Sequence, residues 1–199
     1  MALHIENAPA KPASALRMHA ERTPNPRSVK WVLGAPIAAP GQSANFQQAA
    51  PPEVSPLAAR LFAIDGVAGV FFAENFVTVT KGDSPTAPAW PELAEPIATA
   101  LRAHIESGED ALGPAYTPPP TRPQGEIEQR IREILENEIR PAIAMDGGDV
   151  QFAGYHDGAV EVVLQGACVG CPSSTATLRF GIEARLRQAI PEVTRVVQR

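Results

Sequence analysis

Between Gly108 and Gly125 the chain carries Pro114, Pro118, Pro119, Pro120 and Pro123, and no apolar residue recurs there at a helical or strand period. Proline fixes φ and removes a backbone donor, so such a stretch cannot run through a helix or a sheet interior. It suits a semi-rigid extended spacer instead. The chain therefore divides at this point. Prolines number 21 in 199 residues, about twice the ordinary usage of roughly 5%, and many lie between stretches of periodic apolar residues. The length accommodates two small domains. The expected organisation is a disordered leader over 1–20, an N-terminal domain over 21–108, a Pro-rich linker over 109–125 and a C-terminal domain over 126–199.

The first unit reads as a small α+β domain. After the turn-like Arg22-Thr23-Pro24-Asn25-Pro26, the run Val29 to Leu33 has strand composition. A loop rich in Ala, Gln and Pro then extends to Val54. Leu57, Leu61 and Ile64 fall at helical spacing between a Pro56 start and a Gly66 stop. Val67 to Phe72 and Phe76 to Lys81 form a hairpin candidate. Leu93, Ile97, Leu101 and Ile105 mark an amphipathic helix ending near Gly108.

The second unit opens with the stripe Ile127, Ile131, Ile134, Leu135, Ile139 and Ile143, whose end is signalled by Pro141 and Gly147-Gly148. Strands Val150 to Tyr155 and Ala159 to Leu164 flank His156-Asp157-Gly158, where Asp-Gly signals a hairpin. Leu178, Ile182, Leu186 and Ile190 define a further helix, with Gly181 against it, and Val193 to Val197 suits a last strand. The expected fold class is α+β, with the C-terminal domain in the order α-β-β-α-β.

A net charge of -5 and a pI near 5.4 give no electrostatic reason to expect nucleic acid or an anionic membrane as a partner. No apolar run approaches the roughly 20 residues of a membrane helix, and the first twenty residues lack the zones of a secretory signal. A cytoplasmic protein is expected. A mitochondrial address is less favoured, because Met1 to Ala20 offers only Lys11 and Arg17 as positive charges and contains Glu6.

The chain's two cysteines, Cys168 and Cys171, are too close in sequence to staple a fold of this size. They lie in Leu164-Gln165-Gly166-Ala167-Cys168-Val169-Gly170-Cys171-Pro172-Ser173-Ser174, which leaves a predicted strand, turns on glycines and enters a predicted helix. Pro172 suits the first helical position, placing Cys171 beside unsatisfied N–H groups and the positive end of a helix dipole, where thiolate is favoured over thiol. A soft metal fits such a pair. An iron–sulfur cluster or a closed zinc site takes four ligands, and two cysteines leave half of them to be supplied elsewhere, most simply by the same turn of a second copy across a symmetry axis.

Other readings of the pair remain. A thioredoxin-like thiol–disulfide redox module, zinc held between chains, and two small residues packing a turn all use the same two side chains. His156 reads as a solvated turn residue, and His4, His19 and His104 have no partner at ligand spacing. Asp146 and Asp149 flank Gly147-Gly148 as a carboxylate pair or, more commonly, as a turn with helix-capping glycines. The glycines match no phosphate-binding pattern.

Met145-Asp146-Gly147-Gly148-Asp149-Val150, the cysteine string through Thr175, and Ile190-Pro191-Glu192-Val193 together resemble the C-terminal domain of the NifU (Nfu) family. Arg22 to Pro26, and Ser55-Pro56-Leu57-Ala58 to Ile64-Asp65-Gly66-Val67, resemble the N-terminal domain found in one branch of that family. The resemblance implies an iron–sulfur cluster scaffold or carrier and not an enzyme. It further implies a cluster, 4Fe-4S sooner than 2Fe-2S, ligated by Cys168 and Cys171 of two subunits in a homodimer. The implied partners are apo iron–sulfur clients and upstream assembly factors, and the N-terminal domain would contribute recognition.

Overall fold

The structure, a computed structural model, describes residues 17–118, 125–171 and 175–199. In the N-terminal domain, β1 (Met18–Arg22), β2 (Ser28–Leu33), β3 (Ser43–Phe46), β4 (Val67–Ala73) and β5 (Phe76–Lys81) form one antiparallel sheet in the order β1-β2-β5-β4-β3. Helices α1 (Pro56–Phe62) and α2 (Trp90–Ser107) cover one face. Ser55 caps α1 by accepting from Ala58 N, Pro56 follows in the first turn, and Gly108 ends α2 in the left-handed region. Leu57, Leu61, Leu93, Ile97 and Leu101 pack on Trp31, Ala44, Val70, Phe72, Val77 and Val79. These strand residues fall at alternate positions, as side chains on one face of a sheet do.

The sequence reading needs three corrections here. Residues 18–20 are strand and not leader, because β1 pairs along β2 from Met18 opposite Leu33 to Arg22 opposite Val29; residues 1–16, His4 among them, lie outside the described set. Strand β3 falls inside the stretch read as loop; of its four residues only Ala44 and Phe46 offer apolar side chains to the core. The start of the expected linker is folded: Ala111 is buried in the N-terminal core, Tyr116 lies against Phe46, and Gly113 N and Ala115 N donate to Val54 O and Glu53 O. Residues 119–124 lie outside the described set.

In the C-terminal domain, α3 (Glu126–Ile134), a π-helical segment (Leu135–Ile139) and α4 (Arg140–Met145) run on without a break. Pro141 therefore does not end the helix as expected. The wider turn just before it accommodates a ring that would otherwise clash with the carbonyl four residues back. Strands β6 (Gly148–His156), β7 (Ala159–Gly166) and β8 (Arg195–Gln198) form a sheet in the order β6-β7-β8, antiparallel then parallel, with α5 (Thr175–Ala189) as the crossover. Asp157 and Gly158 both take positive φ in the hairpin turn. Ile131, Leu135, Ile143, Ile182, Leu186 and Ile190 form the core with Val150, Val160, Val162 and Leu164. The α-β-β-α-β order stands as read, and both domains are α+β.

The two domains meet through the second face of the N-terminal sheet. β4 and β5 are buried on both faces. Phe71 and Thr78, which point away from α1 and α2, meet Gly166 and Gly147 of the C-terminal domain.

Candidate functional site

The cysteine turn begins where β7 ends. Gly166 takes φ +60°, and its Cα faces Gly147 O and the Phe71 ring, so a side chain there would be strained and would collide. The turn then closes on itself: Cys168 N donates to Gln165 O at 3.3 Å and Val169 N to Gly166 O at 3.1 Å. Ala167 N donates to Gly147 O at 3.1 Å, tying the turn to the start of β6. Gly148 lies so close that a Cβ would collide with Cys168 Sγ. The Gly147-Gly148 pair therefore does more than end a helix: its second member makes room for a sulfur.

The N-terminal domain covers this turn. Asn25, 0% exposed, donates from Nδ2 to Ala167 O at 3.0 Å and to Val169 O at 3.1 Å, the carbonyls on either side of Cys168. Its Oδ1 accepts from Arg27 N at 3.0 Å. The Arg27 guanidinium lies against Gly170, between the two cysteines in sequence. Thr78, also 0% exposed, donates to Gly147 O at 2.7 Å, and Lys30 Nζ donates to Met145 O at 3.3 Å.

Under this cover Cys168 is 5% exposed and Cys171 is 2% exposed. Burial, helped by Asp146, Cys171 and Asp149, pushes the Cys168 thiol up from 9.0 to about 12. The sequence reading favoured thiolate at the cysteine turn; at Cys168 burial among the C-terminal core residues favours the thiol instead. The reading of Pro172 as the first helical position lies outside the described residues. A cavity of about 200 Å³ beside Cys168 is lined by Pro24, Ile143, Asp146 and Leu178 among others, so it too is shared between the domains.

Asp149 is not half of an open carboxylate pair. Its side chain, 5% exposed, accepts from Arg140 Nε at 2.7 Å and Nη2 at 2.8 Å, from Ser43 Oγ of the other domain at 2.8 Å, and from Val150 N at 2.8 Å. Asp146 lines the cavity. His156 is exposed at the end of β6, His19 pairs with Glu21 at 3.0 Å, and His104 is buried in the N-terminal domain. Among the described residues no three His, Cys, Asp or Glu side chains group as a metal site. Sequence reading missed Asn25, Arg27, Thr78 and Gly148. Only the Asn25 string and the Gly-Gly pair stood out there, as turns.

Comparison with known proteins places both halves. Residues 131–197 match the family model described as the NifU-like domain, and residues 18–108 match that of the scaffold protein Nfu/NifU N terminal. The chain is 36% identical over 189 residues to the NifU-like protein C1709.19c of Schizosaccharomyces pombe, covering 91% of this chain and 72% of that protein. It is 37% identical over 193 residues to the human NFU1 iron-sulfur cluster scaffold homolog, mitochondrial, covering 94% of this chain and 73% of that one. A solution structure of a NifU-like protein from Saccharomyces cerevisiae aligns at 20% identity with a TM-score of 0.46, over 57% of this chain and 99% of that one.

Proposed function

The chain belongs to the NifU/Nfu family of iron–sulfur cluster scaffold proteins, and from that premise we propose that its cysteine turn carries a cluster as cargo for delivery to apo-proteins. One observation supports this most directly: the only two cysteines of the chain sit on a single tight turn between β7 and α5. Two thiolates supply half the ligands of a cluster. A second copy presenting the same turn completes the set, so the loaded form is a homodimer holding a 4Fe-4S cluster between its subunits. A site at the edge of two chains surrenders its cargo more readily than one enclosed in a single fold.

Delivery is ligand exchange and not catalysis in the enzymatic sense. An incoming client thiolate forms an iron–sulfur bond as the bond to Cys168 or Cys171 breaks, and the departing thiolate takes a proton from solvent. Iron and sulfide keep their oxidation states. A thiol–disulfide redox role would use the same pair and asks for the same thiolate character and access as metal binding does; the iron content and colour of the reconstituted protein distinguish the two.

Among the described residues no helix is long and apolar enough to cross a membrane. The human, Arabidopsis and Drosophila relatives are named mitochondrial. We therefore set mitochondrial-type assembly beside the cytoplasmic placement drawn from the sequence, and fractionation of the native source decides between them.

Anaerobic reconstitution with iron and sulfide tests the function. The expected result is about two irons and two sulfides per chain, in a particle of twice the chain's mass, with a visible absorption band lost in Cys168→Ala and Cys171→Ala. Zinc in place of iron, or activation of a client enzyme by either variant as well as by the parent, would sink the proposal.

A further inference from the structure

Among the described residues, both hydrogen bonds that the Asn25 amide N–H groups donate cross to the cysteine turn. The residue is held for that task. Pro24 and Pro26 on either side fix two φ angles. Thr23 Oγ1 donates to Asn25 O at 2.9 Å and to Ser28 O at 3.0 Å, and Ser28 N donates to Asn25 O at 2.9 Å. A stiff loop thus presents one side chain that reads the two carbonyls beside Cys168. Thr78 is equally pointed: from a central strand its hydroxyl leaves the N-terminal sheet to reach Gly147 O, whose other partner is Ala167 N of the turn.

We propose that the N-terminal domain is a built-in cap for the cysteine turn, latched by Asn25 and Thr78, and that the cap and a second copy of the chain compete for the same face. The residues under the cap, Gly147, Gly166, Ala167, Val169 and Gly170, belong to the cysteine turn or adjoin it, on the face that a partner subunit would have to approach. A capped chain is a closed, cluster-free monomer, and a loaded chain is uncapped. The second half of this inference rests on the cluster-carrier reading; the first half does not. Since only the uncapped fraction is competent to dimerise, the apparent affinity for a second copy and its cluster falls in proportion to that fraction. Unloaded thiols are shielded meanwhile.

The test is thiol alkylation of the full-length, metal-free, reduced chain at one pH, followed by intact mass, for the parent, Asn25→Ala and Thr78→Val. Valine keeps the β-branched shape of Thr78, so that variant removes the bond to Gly147 while respecting the strand. Circular dichroism confirms that each variant is folded. The parent is expected to label slowly, and each folded variant roughly tenfold faster, as the loss of buried hydrogen bonds across the contact implies. Rates in both variants equal to the parent's would overturn the cap, as would a parent that labels as fast as the urea-unfolded chain. If Asn25→Ala fails to fold, Thr78→Val alone decides. Reconstitution of the same proteins separates the two readings: faster labelling with no iron bound leaves the cap standing and removes the carrier, whereas iron bound with unchanged labelling does the reverse.

Discussion

Raising the pH on the cluster-free protein reads how deeply the fold desolvates Cys168. A thiol titrating at about 12 in the folded chain, against 9.0 for an ordinary one, means that the folded state holds a proton which the unfolded state gives up. The stability this contributes is complete below pH 9 and is lost as the pH rises toward 12, with a slope approaching about 1.4 kcal/mol per unit. By linkage the loss reaches about 0.8 kcal/mol at pH 9.5 and about 2 kcal/mol at pH 10.5. Lysine and tyrosine titrations also act in this range, and burial raises the Tyr116 hydroxyl as well. Urea unfolding of the parent and of Cys168→Ala, under reductant and at matched pH from 7.5 upward, removes those shared contributions by difference. The stability gap between the two proteins should narrow by about 2 kcal/mol at pH 10.5. A gap constant to within about 0.5 kcal/mol would refute the reasoning, because Cys168 would then titrate alike folded and unfolded.

Arg140→Met keeps the aliphatic stem but strands the buried Asp149 carboxylate, which retains only Ser43 and Val150 N as donors; urea unfolding should show a loss of about 2 kcal/mol, below the usual range for a broken buried pair because Arg140 is partly exposed. Gly148→Ala drives a methyl into Cys168 Sγ and toward Gln165 O, so we expect about 1–3 kcal/mol of destabilisation together with reduced iron binding on reconstitution. Leu186→Ala opens a void in the C-terminal core, where Leu186 is fully buried, and should lower stability by about 2–5 kcal/mol in the same assay.

The elements that sequence reading found are those whose signal is local. The α1 start at Pro56, the α2 stripe, the Asp157-Gly158 turn and the cysteine spacing each declare themselves within about a dozen residues. The elements it missed are those with little or no local signal. Strands β1 and β3 are paired along β2 and β4, and Met18-His19-Ala20-Glu21-Arg22 offers only Met18 and Ala20 as apolar residues, too short a run to mark a strand. Asn25 reaches carbonyls more than 140 residues away in sequence, and from one chain its string reads only as a turn. A clue was nevertheless present: Val70-Phe71-Phe72 is apolar without alternation, which is what a strand covered on both faces looks like. One face went to the helices, and the other called for a cover that the first domain does not supply.

The π-helical segment Leu135–Ile139 carries a consequence for insertions and deletions. A π-turn holds one residue more than regular α-helical spacing requires. Removing one residue from the exposed stretch Glu136-Asn137-Glu138 would return the segment to regular winding, and because the π-turn had absorbed that residue the helix downstream would keep its facing, with Arg140 still toward Asp149 and Ile143 still in the core. The Pro141 ring would then meet the carbonyl four residues back. A one-residue gap in the regular turns of α3 (Glu126–Ile134) differs: it would turn everything after it by about 100° about the axis, swinging Arg140 off Asp149 and Ile143 out of the core.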